Sequence, residues 1–381
     1  MNGFSKNNIR HQILILLQQA GPLSRADLAR RTGLARSTIT AAVSSLLDER
    51  IVAESQRRKI DGRGRPSVAV SLAPGGRAAI GVDFGFRHVR GVAVDLAHNL
   101  MAFEELELGS DYTIQVGMNA AMKVVAQLKR KSGISDQNLI GIGVGLPSPT
   151  SHEGVTTRSA MIPKWSGTNV KRLFEERISC PIVVENESRL AARAEHVWGA
   201  AKGTQNFAYL KLHSGVGGAI LANGIFISGQ NGGAGELGHV SLDPIGPICR
   251  CGNRGCLEVY AGIPAVLAQI QSVHSDVTLQ GLLALYREND PAASRVLSDT
   301  AKRVAQVASM QCNALNPELV LIGGALAEAG KPFVTRIKSE MEPLVLELNR
   351  GPRVEIGTLG RNASAMGGVA RVFELFAANR L

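Results

Sequence analysis

One histidine and three cysteines lie close together in the chain and form a complete set of soft metal ligands. His239 ends the run GELGH, and Cys249, Cys251 and Cys256 complete the group within eighteen residues. Three thiolates and one imidazole fill the tetrahedral shell of Zn²⁺ and leave no position for an activated water, so the predicted ion is structural. Two glycines between Cys251 and Cys256 allow the tight loop that this requires. The alternative is a set of unrelated buried thiols, although four such ligands rarely collect at this spacing.

Length and composition limit the class of protein. The chain has 381 residues, enough for two or three domains, and 45% of them are hydrophobic, as in ordinary soluble proteins. No stretch approaches the ~20 apolar residues of a membrane span, and the polar segment from Met1 to Arg10 does not have the apolar core that is typical of a signal peptide. Cys180 and Cys312 remain as reduced thiols. These features together predict a cytoplasmic protein with no membrane partner.

Positive charge is concentrated at the N-terminus. The first 80 residues contain thirteen Lys or Arg and five Asp or Glu, an excess of eight, whereas the whole chain has a net charge of +10. A small basic module is therefore attached to a nearly neutral body. This asymmetry favours nucleic acid as the partner of the first module alone, although charge alone is also compatible with a basic solvated surface.

The first module has the spacing of a helix-turn-helix. Apolar residues at helical spacing predict a first helix near residues 6–20, which Gly21-Pro22 ends. Ser24 and Asp27 form a capping-box pattern that begins a short second helix, and Gly33 supplies the turn. A third helix is predicted from about Arg36 to Glu49.

The third helix has one apolar face and one short, polar face. Ile39, Val43, Leu46 and Leu47 face inward at helical spacing. The opposite face suits close approach to base edges in a major groove, and its predicted DNA contacts are Arg36, Ser37, Thr38, Thr40 and Ser44. A merely solvated helix face is the alternative.

A basic hairpin follows the third helix. Short strands at 51–53 and 68–72 flank a glycine- and arginine-rich stretch that predicts a wing. Arginine in a narrow minor groove gains from its strong negative potential. The predicted wing contacts are Arg57, Arg58, Lys59, Arg63 and Arg65.

The remainder of the chain predicts an α/β fold. Buried strands are expected at 78–83, 89–95, 139–145, 182–185, 207–212, 218–221 and 319–322, with a long helix over about 291–316. Strands that alternate with helices and glycine turns are typical of α/β architecture.

The GELGH run and the cysteine run CRCGNRGCLE together resemble the signature of the ROK family, which contains repressors and sugar kinases. The resemblance covers essentially the whole chain, and the N-terminal module matches the family's repressors. It implies a two-lobed, actin-like or ribonuclease H-like body with a sugar in the cleft. The expected domains are a winged helix-turn-helix at 1–76, a first lobe at 77–195 plus about 362–381, and a second lobe at 196–361 that carries the cysteine loop and oligomerisation helices.

Two motifs depart from the pattern of the family's kinases. The kinases carry Asp-x-Gly-Gly-Thr where this chain has DFGFR from Asp83 to Arg87, so Phe86 and an arginine replace small residues beside the transferred phosphate. Their base motif Asn-Asp-Ala-Asn becomes NESR from Asn186 to Arg189, which moves the carboxylate of Glu187 by about one methylene. Proton abstraction needs ~2.6–3.2 Å geometry, so this displacement predicts a degenerate base and no catalysis. A second phosphate loop at 214–218 is retained, unless those glycines form a plain hairpin turn.

The resemblance also implies the ligand site and the partners. The family's sugar contacts map onto Asn186, Glu187, Glu236, His239 and Glu258. A charge at the start of a helix is the alternative role for Glu258. The expected function is a sugar-responsive transcriptional repressor that binds double-stranded operator DNA as a homodimer or homotetramer, with structural Zn²⁺. The alternatives are an active ATP-dependent sugar kinase that also binds DNA, and a DNA-binding scaffold regulated by a protein.

Overall fold

The computed structural model describes residues 6–56, 68–157 and 162–381. Its N-terminal module contains three helices and a three-stranded antiparallel sheet of order β1-β3-β2. These elements are α1 (Lys6–Ala20), β1 (Leu23–Ser24), α2 (Arg25–Thr32), α3 (Arg36–Asp48), β2 (Val52–Gln56) and β3 (Val68–Leu72). The predicted winged helix-turn-helix is confirmed, with β1 as an additional short strand. The wing residues Arg57, Arg58, Lys59, Arg63 and Arg65 lie outside the described residues.

Local sequence accounts for the ends of the helices in this module. The hydroxyl of Ser24 accepts a hydrogen bond from the Asp27 backbone N at 3.1 Å, which forms the predicted capping box at the start of α2. Gly33 ends α2 in the left-handed conformation at φ +70°. Ile39, Val43 and Leu46 are buried on the inner face of α3.

The first sheet of the body has the order β6-β5-β4-β7-β8. Its strands β4 (Ala78–Phe84), β5 (His88–Asp95) and β6 (Leu100–Glu107) pair antiparallel, and β7 (Leu139–Leu146) and β8 (Ile182–Asn186) continue in parallel from β4. The helices of this region are α4 (Ile114–Ser132), α5 (Val170–Glu175) and α6 (Glu187–Trp198). Because α6 follows β8 without a loop, Asn186 and Glu187 lie at the end of a sheet strand.

The second sheet has the order β11-β10-β9-β12-β13. Its strands are β9 (Phe207–Leu212), β10 (Val216–Ala222), β11 (Ile225–Phe226), β12 (Leu319–Gly323) and β13 (Arg353–Ile356). The helices α7 (Glu258–Ala261), α8 (Ile263–Ile270), α9 (Leu279–Arg287), α10 (Pro291–Leu315) and α11 (Lys331–Met341) belong to this half of the body. A buried core joins α10 and α11 to the sheet.

The last helix, α12 (Ala363–Ala377), returns to the first sheet and packs against β4, β7 and α6. The body is therefore the expected mixed α/β fold with two five-stranded sheets, and the predicted domain boundaries stay a prediction. Every helix in the part of the chain that the structure describes is too short or too polar to traverse a bilayer.

Candidate functional site

The four predicted metal ligands meet at one point. Their donor atoms all lie within 4.8 Å of one another. The distance from Cys249 Sγ to His239 Nδ1 is 3.7 Å, and that from Cys251 Sγ to Cys256 Sγ is also 3.7 Å. A tetrahedron with Zn–S bonds of about 2.3 Å has edges of about 3.8 Å, so this spacing fits the ion. The sulfur separation is also far longer than the ~2.05 Å of a disulfide.

Backbone geometry brings these ligands together. His239 ends a 3-10 turn, and short antiparallel bridges pair Ser241 with Cys256 and Ile248 with Arg254. Gly255 has a φ of +61°, and a Cβ atom there would lie 1.9 Å from the backbone oxygen of Asp243. Glycine is therefore required at this position of the loop.

Glu258 connects the cysteine loop to the start of β10. It begins α7 and is buried, and its carboxylate accepts hydrogen bonds from Arg250 Nε at 2.6 Å and Arg250 Nη2 at 2.5 Å. The same carboxylate accepts one from the backbone N of Val216 at 3.0 Å. Glu258 thus occupies the helix-start position and also joins two loops, and its predicted contact with sugar stays a prediction.

The second glycine loop is shorter than predicted. Val216, Gly217 and Gly218 belong to β10, which pairs antiparallel with β9, so only a tight turn at 213–215 remains. A Cβ atom at Gly215 would lie 2.4 Å from Arg250 Nη2, and one at Gly217 would lie 2.1 Å from the hydroxyl of Ser188. The loop is the turn of a β-hairpin and side chains of the chain itself pack on its glycines, while its predicted role as a phosphate loop stays a prediction.

The imidazole of His88, which no sequence motif indicated, covers the first glycine loop. A Cβ atom at Gly85 would lie 2.2 Å from the imidazole of His88. Phe86 is exposed, and its predicted position beside the transferred phosphate stays a prediction. The carboxylate of Asp83 lies 3.7 Å from His88 Nε2. Burial alone would raise the pKa of Asp83, but His88, Lys211 and Arg90 outweigh it and hold that pKa below its usual range.

The degenerate base is held by an ion pair. Lys211 projects from β9 and pairs with Glu187 at the start of α6. Its ammonium also donates to the hydroxyl of Ser364 at 3.0 Å, and that hydroxyl donates to Glu187 at 3.3 Å. Asn186 accepts hydrogen bonds from the backbone N atoms of Ser188 and Arg189 and so caps α6. The signal for Lys211 in the sequence is a lone charge in an otherwise apolar strand.

Arg189 links two segments that carry predicted sugar ligands, namely the start of α6 and the segment that leads to Glu236. It is buried, and its Nη2 donates to the backbone oxygens of Gly232 at 2.7 Å and Ala234 at 3.0 Å. These residues lead directly into Glu236. Burial raises the pKa of Glu236, the charge of Glu258 acts in the same direction, and that of Arg189 opposes it. Arg189 therefore ties the segment before Glu236 to α6, which begins at Glu187, and the predicted sugar contacts of Asn186, Glu187, Glu236, His239 and Glu258 stay a prediction.

His213, a half-buried residue directly after β9, predicts a dependence of stability on pH. Burial and the charge of Lys211 lower the pKa of His213 to about 4, against about 6.5 in an unfolded chain. The unfolded chain then binds more protons between these values, so the free energy of unfolding decreases by about 3 kcal/mol as the pH falls from 6.5 to 4. Urea denaturation across this pH range should show that the free energy of unfolding depends less steeply on pH in His213→Gln than in wild type. The exposed His152→Gln variant is the control, and an unchanged slope in His213→Gln would contradict the assignment.

The predicted recognition face is available on α3. Arg36, Ser37, Thr40 and Ser44 are exposed, and Thr38 is half-buried. Helix α3 is also anchored to α1, because Arg10 forms an ion pair with Glu49 at the C-terminal cap of α3. An exposed polar face on a fixed helix is the arrangement that a major-groove reader needs.

Comparison with family models identifies the body. The model described as the ROK family matches residues 79–374, which is more than half of the chain. The chain belongs to the ROK family. A winged helix-turn-helix DNA-binding model matches residues 6–53, so this ROK protein carries a DNA-binding module before its body.

Individual relatives match this ROK chain over both its DNA-binding module and its body. The xylose repressor of Bacillus spizizenii is 29% identical over 358 residues, covering 93% of this chain and 92% of the relative. The dual regulator NagC of Escherichia coli is 27% identical over 370 residues, covering 94% and 90% respectively. A crystal structure of a ROK family transcriptional regulator, homologous to the E. coli MLC protein, superposes with a TM-score of 0.84 at 22% identity and covers 98% of this chain and 97% of that one. The last similarity establishes a shared fold.

Proposed function

We propose that this ROK protein is a sugar-responsive, DNA-binding transcriptional repressor whose kinase-like body binds a sugar without phosphorylating it. The observation that carries the proposal is what the chain's own side chains contact at the base position and at the two phosphate loops. Glu187, at the position of the kinase base, is paired with Lys211, and side chains of the chain itself cover the glycines of both phosphate loops. The exposed polar face of α3 supplies the DNA-binding half of the function.

The absence of kinase chemistry is supported by geometry at three places. His88 packs over Gly85 in the first loop, and Arg250 packs over Gly215 in the second. Backbone amides of such loops bind phosphate only when oxygens can approach them closely. In addition, Lys211 and Ser364 both bind the Glu187 carboxylate, so it is already occupied where a kinase base would contact a sugar hydroxyl. Phosphoryl transfer needs all of these elements together.

The proposed ligand is a sugar or a sugar derivative held by Asn186, Glu187, Glu236, His239 and Glu258. Carboxylates and amides grip adjacent hydroxyls through charge-assisted hydrogen bonds. Arg189 supports this grouping because it fixes the segment before Glu236 against α6. The similarity to a xylose repressor and to an N-acetylglucosamine repressor makes these two sugars the first probes.

We further propose that His239, Cys249, Cys251 and Cys256 bind structural Zn²⁺. The donor spacing supports this assignment, and four protein ligands leave no place for a reactive water. The ion would hold the cysteine loop at a fixed position, and Arg250 in that loop holds Glu258.

We also propose that this protein is a homodimer or homotetramer in solution, because two DNA-binding modules related by symmetry read paired half-sites.

The decisive experiment measures operator affinity with and without sugar. The full chain selects its DNA site from a random pool, and its dissociation constant is then measured alone and with xylose, glucose, N-acetylglucosamine and their phosphates. At least one compound should change the affinity by a factor between about 5 and 150. No change with any compound would contradict the proposal, and sugar-dependent ATP turnover would establish the kinase alternative.

The wing supplies a control that separates DNA binding from sugar binding. Arg63→Ala combined with Arg65→Ala should weaken DNA binding and reduce the slope of log K against log salt by about 2, since each lost phosphate contact removes about 0.9. The same variant should bind sugar with unchanged affinity in calorimetry. Wild-type DNA affinity in the double variant would exclude the wing from recognition.

A further inference from the structure

We propose that helix α12 carries the sugar signal from the cleft to the DNA-binding module. The inference rests on the proposed function, and it names the structural element through which that regulation acts. One end of α12 lies in the cleft, and the other lies against α1 of the DNA-binding module. A single rigid helix therefore contacts both places where ligands are proposed to bind.

The cleft end of α12 is part of the Glu187 ion pair. Ser364, in the first turn, is buried and lies between Lys211 of the second sheet and Glu187 of α6. The Glu187 carboxylate also lies near the positive end of the α12 dipole, which stabilises it there. A sugar hydroxyl that binds Glu187 competes for the acceptor that Ser364 and Lys211 share. Sugar binding consequently changes the contacts that fix this end of the helix.

The middle of α12 packs backbone against backbone. A Cβ atom at Gly81 of β4 would lie 1.8 Å from the backbone oxygen of Ala365, and one at Gly143 of β7 would lie 2.1 Å from that of Gly368. A Cβ atom at Gly367 would lie 1.8 Å from the backbone oxygen of Leu190 in α6. These contacts contain no flexible side chain that could absorb a displacement. Closely packed interiors transmit such shifts between rigid elements.

The far end of α12 shares a hydrophobic core with the DNA-binding module. Phe373 and Ala377 belong to one buried cluster with Ile13, Leu14 and Leu17 of α1. The ring of Phe376 packs against this cluster, and the guanidinium of Arg77 lies 5.8 Å from the centroid of that ring. A displacement of α12 therefore moves the surface on which α1 rests.

Helix α1 in turn holds the recognition helix. Arg10 Nη2 lies 2.7 Å from Glu49 Oε2 at the end of α3, and the second guanidinium nitrogen contacts the other carboxylate oxygen. Bidentate pairs of this kind fix orientation as well as distance. Ile13 of α1 and Leu46 of α3 also lie in the same core. The contacts thus run without a gap from Glu187 through α12 and α1 to α3.

The test is a double-mutant cycle read by hydrogen exchange, which requires neither a known sugar nor a known operator. Ser364→Ala removes the two hydrogen bonds that the Ser364 hydroxyl makes with Lys211 and Glu187, and it should accelerate amide exchange about fivefold in both α12 and α1. In a Phe376→Ala background, the same substitution should still affect the first turn of α12 but should affect α1 less, because only Phe373 and Ala377 then remain in the shared core. Leu375→Ala, on the same turn of α12 but outside the shared cluster, is the matched control and should preserve the effect on α1.

Two results would overturn the role of α12. In the first, Ser364→Ala changes amide exchange in α1 equally with and without the Phe376 ring. In the second, Ser364→Ala changes amide exchange in the first turn of α12 but not in α1. Either result is distinct from failure of the proposed function, which is tested by the response of wild-type operator affinity to sugars. A variant at exposed Ser339, whose hydroxyl donates to Arg336, should leave α1 unchanged and so exclude a nonspecific effect of serine removal.

Discussion

Replacing Cys251 with serine is expected to remove the bound metal and to lower the unfolding temperature by about 10 °C. A hydroxyl is a poor zinc ligand, and loss of one of four donors opens the tetrahedral shell. Cys251 is exposed, whereas Cys249 and Cys256 are buried, so the substitution causes little steric change of its own. Elemental analysis should give about one zinc per wild-type chain and close to none for the variant.

The consequences of metal loss should extend beyond the cysteine loop. Arg250 lies between two ligands and binds Glu258, which in turn accepts a hydrogen bond from Val216 at the start of β10. Loss of metal should therefore increase amide exchange near residues 213–216 as well as in the loop. Cys180→Ser, at a half-buried thiol outside the cluster, is the control and should retain the metal. Full zinc occupancy in Cys251→Ser would show that the ligand assignment is wrong.

Features encoded by neighbouring residues were predictable from the sequence. The capping box at Ser24 and Asp27 and the turn at Gly33 each depend on residues within one helix or its flanks. The meeting of the four candidate metal ligands was predictable for a similar reason, because four donors within eighteen residues can meet through a single compact loop. Apolar periodicity likewise placed the inner face of α3, since a helix buries residues at fixed spacing.

Contacts between distant segments were not predictable in this way. Lys211 and Ser364 lie 153 residues apart, and they meet only because α12 returns to the first sheet after the second sheet is complete. Arg189 stands where the kinases' base motif ends in asparagine, and its guanidinium binds backbone oxygens 43 and 45 residues away. The second glycine loop was predicted too long because Gly217 and Gly218 pair with β9, and glycine spacing does not distinguish a strand from a loop.

Lys211→Met is expected to lower the free energy of unfolding by about 3 kcal/mol. The side chains of Lys211 and Glu187 are only 11% and 18% exposed, so the substitution leaves a carboxylate with little access to water and without its cation. Ser364 can still donate to Glu187, but one neutral hydrogen bond compensates for only part of this loss. Urea denaturation at pH 7, with the metal content checked in each sample, measures the change.

A second substitution distinguishes the loss of the charge pair from a general packing defect. Lys211→Met combined with Glu187→Gln removes both charges, and the double variant should recover more than half of the lost free energy because no isolated charge remains buried. Lys129→Met breaks an exposed pair with Asp136 and should cost less than about 1 kcal/mol, so it is the matched control. Equal stability of the single and double Lys211 variants would mean that the lysine acts through its alkyl chain. Recovery in the double variant would instead show that Lys211 stabilises the fold by neutralising the charge of Glu187.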